Sequence, residues 1–466
     1  MHAHLQIAFL ALSAGSLQDQ DARRASDLPR VLFLTHSAGF THPVVARPAP
    51  GELAHAERAL LDAAAGRLEV VPTQDCSAIG AENLARFDAV LFYTTGELPI
   101  PPAGRAALMA WLRAGGAFAG SHCATDTLYE YAPYMDMIGG AFDGHPWHQE
   151  VGVRVEDARH PAVAHLGAGF RIADEIYQFR DFRRHPLRVL MTLDASSVEI
   201  GKGKRADGDF ALAWCKEYGR GRVFYTALGH REEVWTDPRF QEHLMAGIEW
   251  AIDGPDYSPP APAGATVLFD GTHLDGWRHA GGEAARWRIV DAALEVTPGS
   301  GDLMTRAALD GRFLLHVEFL VPETSGDRGG QDRGNSGVYV HGRYEVQILD
   351  SFGLEPGPGD CGAIYGKHVP RLDACKPAGE WQSYDIAFTP SEHDAAGKKT
   401  ANARMTVWLN GLEIHHDVEV DGTTGGALAA DEPRSGPLVL QDHGHLVRFR
   451  NVWALPRWRV RSEAHR

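Results

Sequence analysis

The chain has 466 residues, 44% of them hydrophobic and 23% charged, an ordinary globular composition long enough for roughly two to four domains. Its formal net charge is −16 and it carries no Lys/Arg-rich run, which excludes the basic footprint of a nucleic-acid binder. A small, neutral or weakly polar substrate fits this balance better than an acidic polymer.

Residues 5–12 are apolar and residues 13–16 are small, so residues 1–16 read as a secretory signal peptide and the mature protein as exported, periplasmic or extracellular. No other run reaches transmembrane length. Strand and helix patterns then alternate. "RVLFLTH", "RLEVVPT", "DAVLFYTT" and "AFAGSH" are buried-strand runs, while "ELAHAERALLDAAAG" and "PAGRAALMAWLRAGG" have helical periodicity and stop on Gly. This order predicts a parallel sheet with helices on both faces and ligands at the carboxyl ends of its strands. His36, the "GFTH" loop (39–42), residues 94–97 and "SHCATD" (121–126) fall at those ends.

"GPDYSPPAPAGA" (254–265) is a Pro/Ala-rich stretch without periodicity. It predicts a stiff linker between a domain at 28–253 and another at 266–456. Beyond it, short β-type runs such as "TVLFDG", "WRIVDAALEV", "FLLHVEFLV", "SYDIAFTP" and "VRFRNVWAL" predict a two-sheet sandwich, with a type I′ hairpin at Asn410-Gly411. Trp277, Trp287, Trp408 and Trp453 are assigned to its core. Arg448 and Arg450 are assigned to ion pairs. Five cysteines, scattered and without a CxxC, give neither a disulfide framework nor a thiolate zinc site, although Cys361 and Cys375 could pair.

"NSGVYVHGRYEVQILDS" (335–351) places Glu345, Gln347 and Asp350 inside an apolar run. On a regular strand Glu345 and Gln347 face the same way, and Asp350 faces the other unless the strand bends. They are either a solvated strand face or the floor of a site. The Gly-rich "DRGGQDRGNSG" (327–337) lacks the Walker lysine pattern and reads as a loop shaping a pocket.

Through "GGAFAGSHCATDT", "GGAFDGHPWH", "HPAV", "DEIYQF" and "GRVFYTALGH", the first half resembles the ThuA-like, or trehalose-utilisation, family. That resemblance implies a fold like the class I glutamine amidotransferases, an α/β flavodoxin-like architecture. In amidotransferases a Cys at a strand-to-helix elbow is the nucleophile; here Ser121 and His122 occupy the elbow and Cys123 follows, reading as a buried small residue. The motifs also carry His42, His122, His145, His148 and His230, with Glu175 and Tyr177. His42, His122, His145, Glu175, Tyr177 and His230 form the candidate site of this half, suited to proton transfer or to a divalent metal, although no cofactor is strictly implied.

Through "LFDGTHLDGW", "NSGVYVHGRYEVQILDS", "GAIYGKH", "KPAGEWQSYDI", "LNG" and "LVLQDHGHLVRFRNV", the second half resembles the 3-keto-disaccharide hydrolase family. This implies a concanavalin-like jelly-roll sandwich acting on glycosides whose C3 hydroxyl is already a ketone, as a glycoside hydrolase or lyase. A C3 ketone acidifies the C2 proton; a base removes it, the C1 substituent leaves, and an acid protonates the departing oxygen. The candidate proton carriers are Glu345, Asp350 and His443. Gln347, Tyr365, Lys376, Trp381 and Gln441 are the candidate substrate-binding residues, with Lys376 toward the enolate. Two other readings compete: a lectin-like binding protein with no proton carrier, and a hydrolase centred on Cys123.

Overall fold

A computed structural model describes residues 28–256, 258–323 and 329–458; the stretch read as a signal peptide lies outside them. No described helix is long and apolar enough to cross a membrane.

The N-terminal half is an α/β domain on one nine-stranded sheet. Its strands are β1 (Arg30–Leu34), β2 (Glu69–Thr73), β3 (Ala89–Phe92), β4 (Ala117–Ser121), β6 (Trp147–Val155), β7 (Gly169–Ile176), β9 (Arg188–Leu193), β10 (Ala211–Tyr218) and β11 (Gly221–Thr226), while β5 (Ala141–Phe142) and β8 (Phe179–Arg180) pair separately. The order is β2-β1-β3-β4-β11-β10-β9-β6-β7. From β2 to β11 all pairs are parallel, in the order of a flavodoxin-like sheet. Val31 to Leu34 and Ala89 to Phe92 are buried, the continuous apolar runs of strands covered on both faces.

The predicted parallel sheet describes only this part. The remaining pairs, β11-β10-β9-β6-β7, are antiparallel. β10 turns into β11 through Gly219 and Arg220 alone, and so short a connection joins only antiparallel neighbours.

The C-terminal half is an all-β sandwich. Its smaller sheet runs Trp277–His279, Leu303–Thr305, Val439–Leu440, Ser336–Val340, Tyr344–Ile348. The larger includes Arg448–Pro456, Phe313–Leu320, Trp381–Thr389, Ala403–Leu409 and Leu412–Val420. Val338, Val340, Val346 and Ile348 are fully buried between the sheets, and the Tyr344 ring lies 5.4 Å from Phe388 of the opposite sheet. The four assigned tryptophans are buried, and Arg448 and Arg450 pair with Glu295 (2.8 Å) and Glu318 (2.6 Å). "WRIVDAALEV" is two strands, because Asp291 and Ala292 both turn through positive φ. All five cysteines are free and buried.

The two halves touch directly. The Asn410-Gly411 hairpin turn docks on the β10–β11 turn, where the Gly219 amide donates to the Asn410 carbonyl (3.0 Å). Gly411 is needed twice: its φ is +73°, and a Cβ there would overlap the Glu217 carbonyl. Within residues 254–265, Ser258 donates to Glu318 (2.6 Å) and the Pro259 carbonyl accepts from Asn451 (2.8 Å), so this segment lies against the sandwich.

Candidate active sites in the two domains

In the N-terminal domain the carboxyl ends of β1, β4 and β11 converge. Ser121 ends β4, and His122 follows at φ +48°, a left-handed elbow that costs a non-Gly residue on the order of 1 kcal/mol. Its conformation is held from several sides. Nδ1 donates to the Ala227 carbonyl (2.8 Å), its own carbonyl accepts from the Tyr225 hydroxyl (2.6 Å), and its ring lies 4.0 Å from that of Tyr177. Nε2 is thereby left as a lone pair, 3.2 Å from His230 Nδ1. The loop bearing His230 is fixed by Asp174, whose carboxylate accepts from the Gly229 (2.7 Å) and Arg231 (3.2 Å) amides. The 39–42 loop is tied to the end of β3 because Thr95 Oγ1 donates to the Phe40 carbonyl (2.8 Å).

His42 thus sits 5.0 Å from the His122 ring and 5.2 Å from that of His230. Glu175, near the end of β7, reaches His230 Nδ1 at 3.0 Å and His145 Nδ1 at 3.6 Å. All six residues of the predicted N-terminal site are therefore gathered at one place. Burial, with His230 beside it, holds the His42 pKa down to about 4, and burial lowers His122 well below its ordinary value. Both are neutral imidazoles at neutral pH. His42, His122 and His230 have ligand atoms within 4.8 Å of one another, as do His148, Glu175 and His230. Cys123 is fully buried, and burial pushes its thiol well above the ordinary range; His122, not Cys123, occupies the strained elbow.

The C-terminal site is built on one hairpin. Ser336–Val340 and Tyr344–Ile348 pair with Tyr339 opposite Glu345 and Gly337 opposite Gln347. Tyr344, Val346 and Ile348 enter the core, so Glu345 and Gln347 share the other face, yet they are only 3% and 1% exposed. This is no solvated strand face: the segments carrying Gln331, Asn335, Gly359 and Thr424 close over it. With the Gln347 amide nitrogen turned toward Glu345, it donates to Glu345 Oε1 (3.0 Å) and to the Ser336 carbonyl (2.8 Å). A Cβ on Gly337 would overlap the Glu345 carboxylate, so this Gly makes the room that the acid occupies. Thr424 Oγ1 accepts from the Glu345 amide (2.9 Å), and the Glu345 carbonyl accepts from the Tyr365 amide (3.1 Å).

Burial pushes the Glu345 carboxyl up to about 7; a hydrogen bond from Tyr339 opposes this and the nearby charge of Asp302 adds to it. The single Tyr339 hydroxyl proton is shared between Glu345 and the Gly425 carbonyl (3.0 Å), and the hydroxyl oxygen accepts from Gln441 Nε2 (3.2 Å). Gln441 Oε1 is buried with no hydrogen-bond partner among the described residues. His443 is exposed, and its neighbour Asp442 donates its amide to Asp302 (2.8 Å).

Three expected residues stand apart. Asp350 follows the strand end, accepts from Arg333 Nη2 (2.9 Å) and donates its amide to the Arg333 carbonyl (2.9 Å). Its carboxylate is committed to that pair. Lys376 is bound to Glu217 of the N-terminal domain (3.0 Å) and to the Trp381 carbonyl (3.1 Å), so it is an interface residue rather than an enolate donor. The Trp381 ring is covered by the Arg450 guanidinium at 4.0 Å and lines the cavity between the domains, which removes it as a sugar platform beside Glu345. Tyr339, Asp302, Gln331 and Thr424 were not anticipated. Tyr339 had a signal, since it lies opposite Glu345 across a Gly-containing turn, and Gln331 lies in the 327–337 loop read from the sequence as shaping a pocket; Asp302 and Thr424 come from distant loops.

The family model for trehalose utilisation (ThuA) matches residues 30–251, and that for a 3-keto-alpha-glucoside-1,2-lyase-like domain matches residues 264–455. The chain joins a ThuA domain to a 3-keto-alpha-glucoside-1,2-lyase-like domain. This pair is that of a carbohydrate-active enzyme. Among solved structures, a candidate glycosyl hydrolase from Parabacteroides distasonis ATCC 8503 is 35% identical over 42% of this chain and 84% of its own, with a TM-score of 0.39. A candidate ThuA-like protein from Bacteroides uniformis ATCC 8492 is 20% identical over 49% of this chain and 94% of its own (TM-score 0.38). One from Parabacteroides merdae ATCC 43184 is 18% identical over 51% and 94% (TM-score 0.40). No curated protein matches the chain.

Proposed function

We propose that the lyase-like domain cleaves 3-keto-glycosides, with Glu345 as the base that takes the C2 proton. The observation that supports this is a buried carboxyl raised to about 7, poised to exchange a proton near neutral pH. The C2–H electron pair enters the enolate of the C3 ketone. It returns to form the C1–C2 double bond as the C1–O bond breaks, and the departing oxygen takes a proton from His443 or from water. Water adding to the resulting enone completes net hydrolysis. Gln347 holds Glu345 in place, and the unpartnered Gln441 Oε1 accepts from a sugar hydroxyl. A lectin has no need of a buried carboxyl held between its two protonation states. With residues 1–16 as a secretory signal, the enzyme works outside the cytoplasm; the N-terminal sequence of the mature protein tests this.

The deciding experiment incubates the full chain with a paired glucoside and 3-keto-glucoside and follows aglycone release. Release from the ketone alone, lost in Glu345→Gln, supports the reading. Equal release from both substrates, or an unchanged rate in Glu345→Gln, ends it.

A further inference from the structure

The histidine cluster of the ThuA domain has features that a proton network leaves unexplained. His122 commits its Nδ1 proton to the Ala227 carbonyl, so Nε2 presents a bare lone pair. That lone pair faces His230 Nδ1 at 3.2 Å, and the same Nδ1 faces Glu175 Oε2 at 3.0 Å. One proton on His230 serves one of these acceptors well and leaves the other facing it. His42 is 3% exposed, and its Nδ1 is buried with no hydrogen-bond partner among the described residues. Three imidazoles therefore converge, with Glu175 beside His230 alone, and they hold more acceptors than protons.

A cation satisfies the three imidazoles together. Ligands bound at 2.0–2.1 Å in a tetrahedron lie about 3.4 Å from one another. The 3.2 Å separation of His122 and His230 is close to such an edge, and the three histidines keep their ligand atoms within 4.8 Å. The three histidines arrive from separate segments at the carboxyl ends of β1, β4 and β11. Each is braced behind: His122 by Ala227, His230 through Asp174, and the His42 loop by Thr95. Such outer support is what orients metal ligands. We propose that His42, His122 and His230 bind one divalent transition-metal ion of the zinc, cobalt, manganese or iron class. Imidazole donors select this class over magnesium and calcium, which prefer oxygen. The exposed His145 and His148 flank Glu175 and form the mouth, so the ion's free position opens toward solvent, as a catalytic ion requires.

The test uses the full chain, stripped with chelator and dialysed. Cobalt(II) is titrated while its visible ligand-field bands are followed, zinc is used to displace it, and bound metal is measured by elemental analysis. One equivalent should bind, with bands of a four- or five-coordinate site that zinc abolishes. His122→Ala and His230→Gln should each lose stoichiometric binding, while His165→Ala, an exposed histidine elsewhere in the domain, keeps it. Circular dichroism identifies variants that fail to fold, and the wild-type stoichiometry stands without them. Failure of zinc, cobalt, manganese and iron(II) all to bind overturns the proposal. So does binding that survives in folded His122 and His230 variants. Binding lost in His148→Ala but kept in His42→Ala and His122→Ala moves the ion to the outer group and overturns the assignment to these residues.

Discussion

The two candidate sites put the same kinds of side chain to opposite electrostatic uses. In the lyase-like domain a single carboxyl is buried against a tyrosine hydroxyl and an amide, and desolvation raises it to about 7. In the ThuA domain Glu175 is also buried, but His230, His145 and His148 surround it, and its pKa is lowered despite the burial. A buried acid with no cation beside it is raised toward neutral pH; one among imidazoles stays an anion. The sites also differ in assembly. The first stands on one hairpin, whereas the second is collected from loops between residues 42 and 230.

The sharpest way to break this comparison is Glu345→Gln. It should lower 3-keto-glucoside cleavage by about 10²–10⁴-fold, while cobalt binding in the other domain is unchanged. Gly337→Ala should come next. Its Cβ displaces the Glu345 carboxylate, and kcat should fall by roughly 10–100-fold with the fold intact by circular dichroism.

The pH profile sharpens the contrast. As a base, Glu345 acts when ionised, so kcat/KM should rise with pH through about 7. The Tyr339 bond favours the ionised form, so Tyr339→Phe should move that rise to higher pH. Stability should move the opposite way to activity. The folded carboxyl binds its proton more tightly than the unfolded one, for which 4.5 is the ordinary value. The cost of ionising it grows from about pH 4.5 and is complete above about 7. Glu345→Gln should therefore raise Tm above pH 7, by an amount on the order of 3 kcal/mol in stability, with the gain vanishing near pH 4. The smallest effect is expected at Cys123. A fully buried thiol with a raised pKa is packing, so Cys123→Ala should leave both cleavage and metal binding unchanged.

Much of this was legible in the chain itself. Continuous apolar runs gave β1, β3 and β4, because strands covered on both faces need no polar alternation. Asn410-Gly411 gave its hairpin, because both positions require positive φ. The period of two put Glu345 and Gln347 on one face, the strand-end rule gathered His42 and His122, and the ThuA-like motifs added His230. Lys376 and Trp381 were misread because nothing local marks a residue as facing another domain. Glu217 and Arg450, their partners, are 159 and 69 positions away in the chain.

The sequence alone determined the two domain types, the strand faces and the residue classes able to do chemistry, since these follow from short-range sterics and from burying apolar side chains. Only the tertiary structure decided which of those residues come together and what each is bonded to. Whether Glu345 is solvated or buried depends on loops at 331–335, 359 and 424 closing over it. Whether Asp350 is free depends on Arg333, and whether His122 offers a lone pair depends on the Ala227 carbonyl. Protonation and ligation are set by desolvation and by partners distant in the chain, and neither exists before the chain has folded.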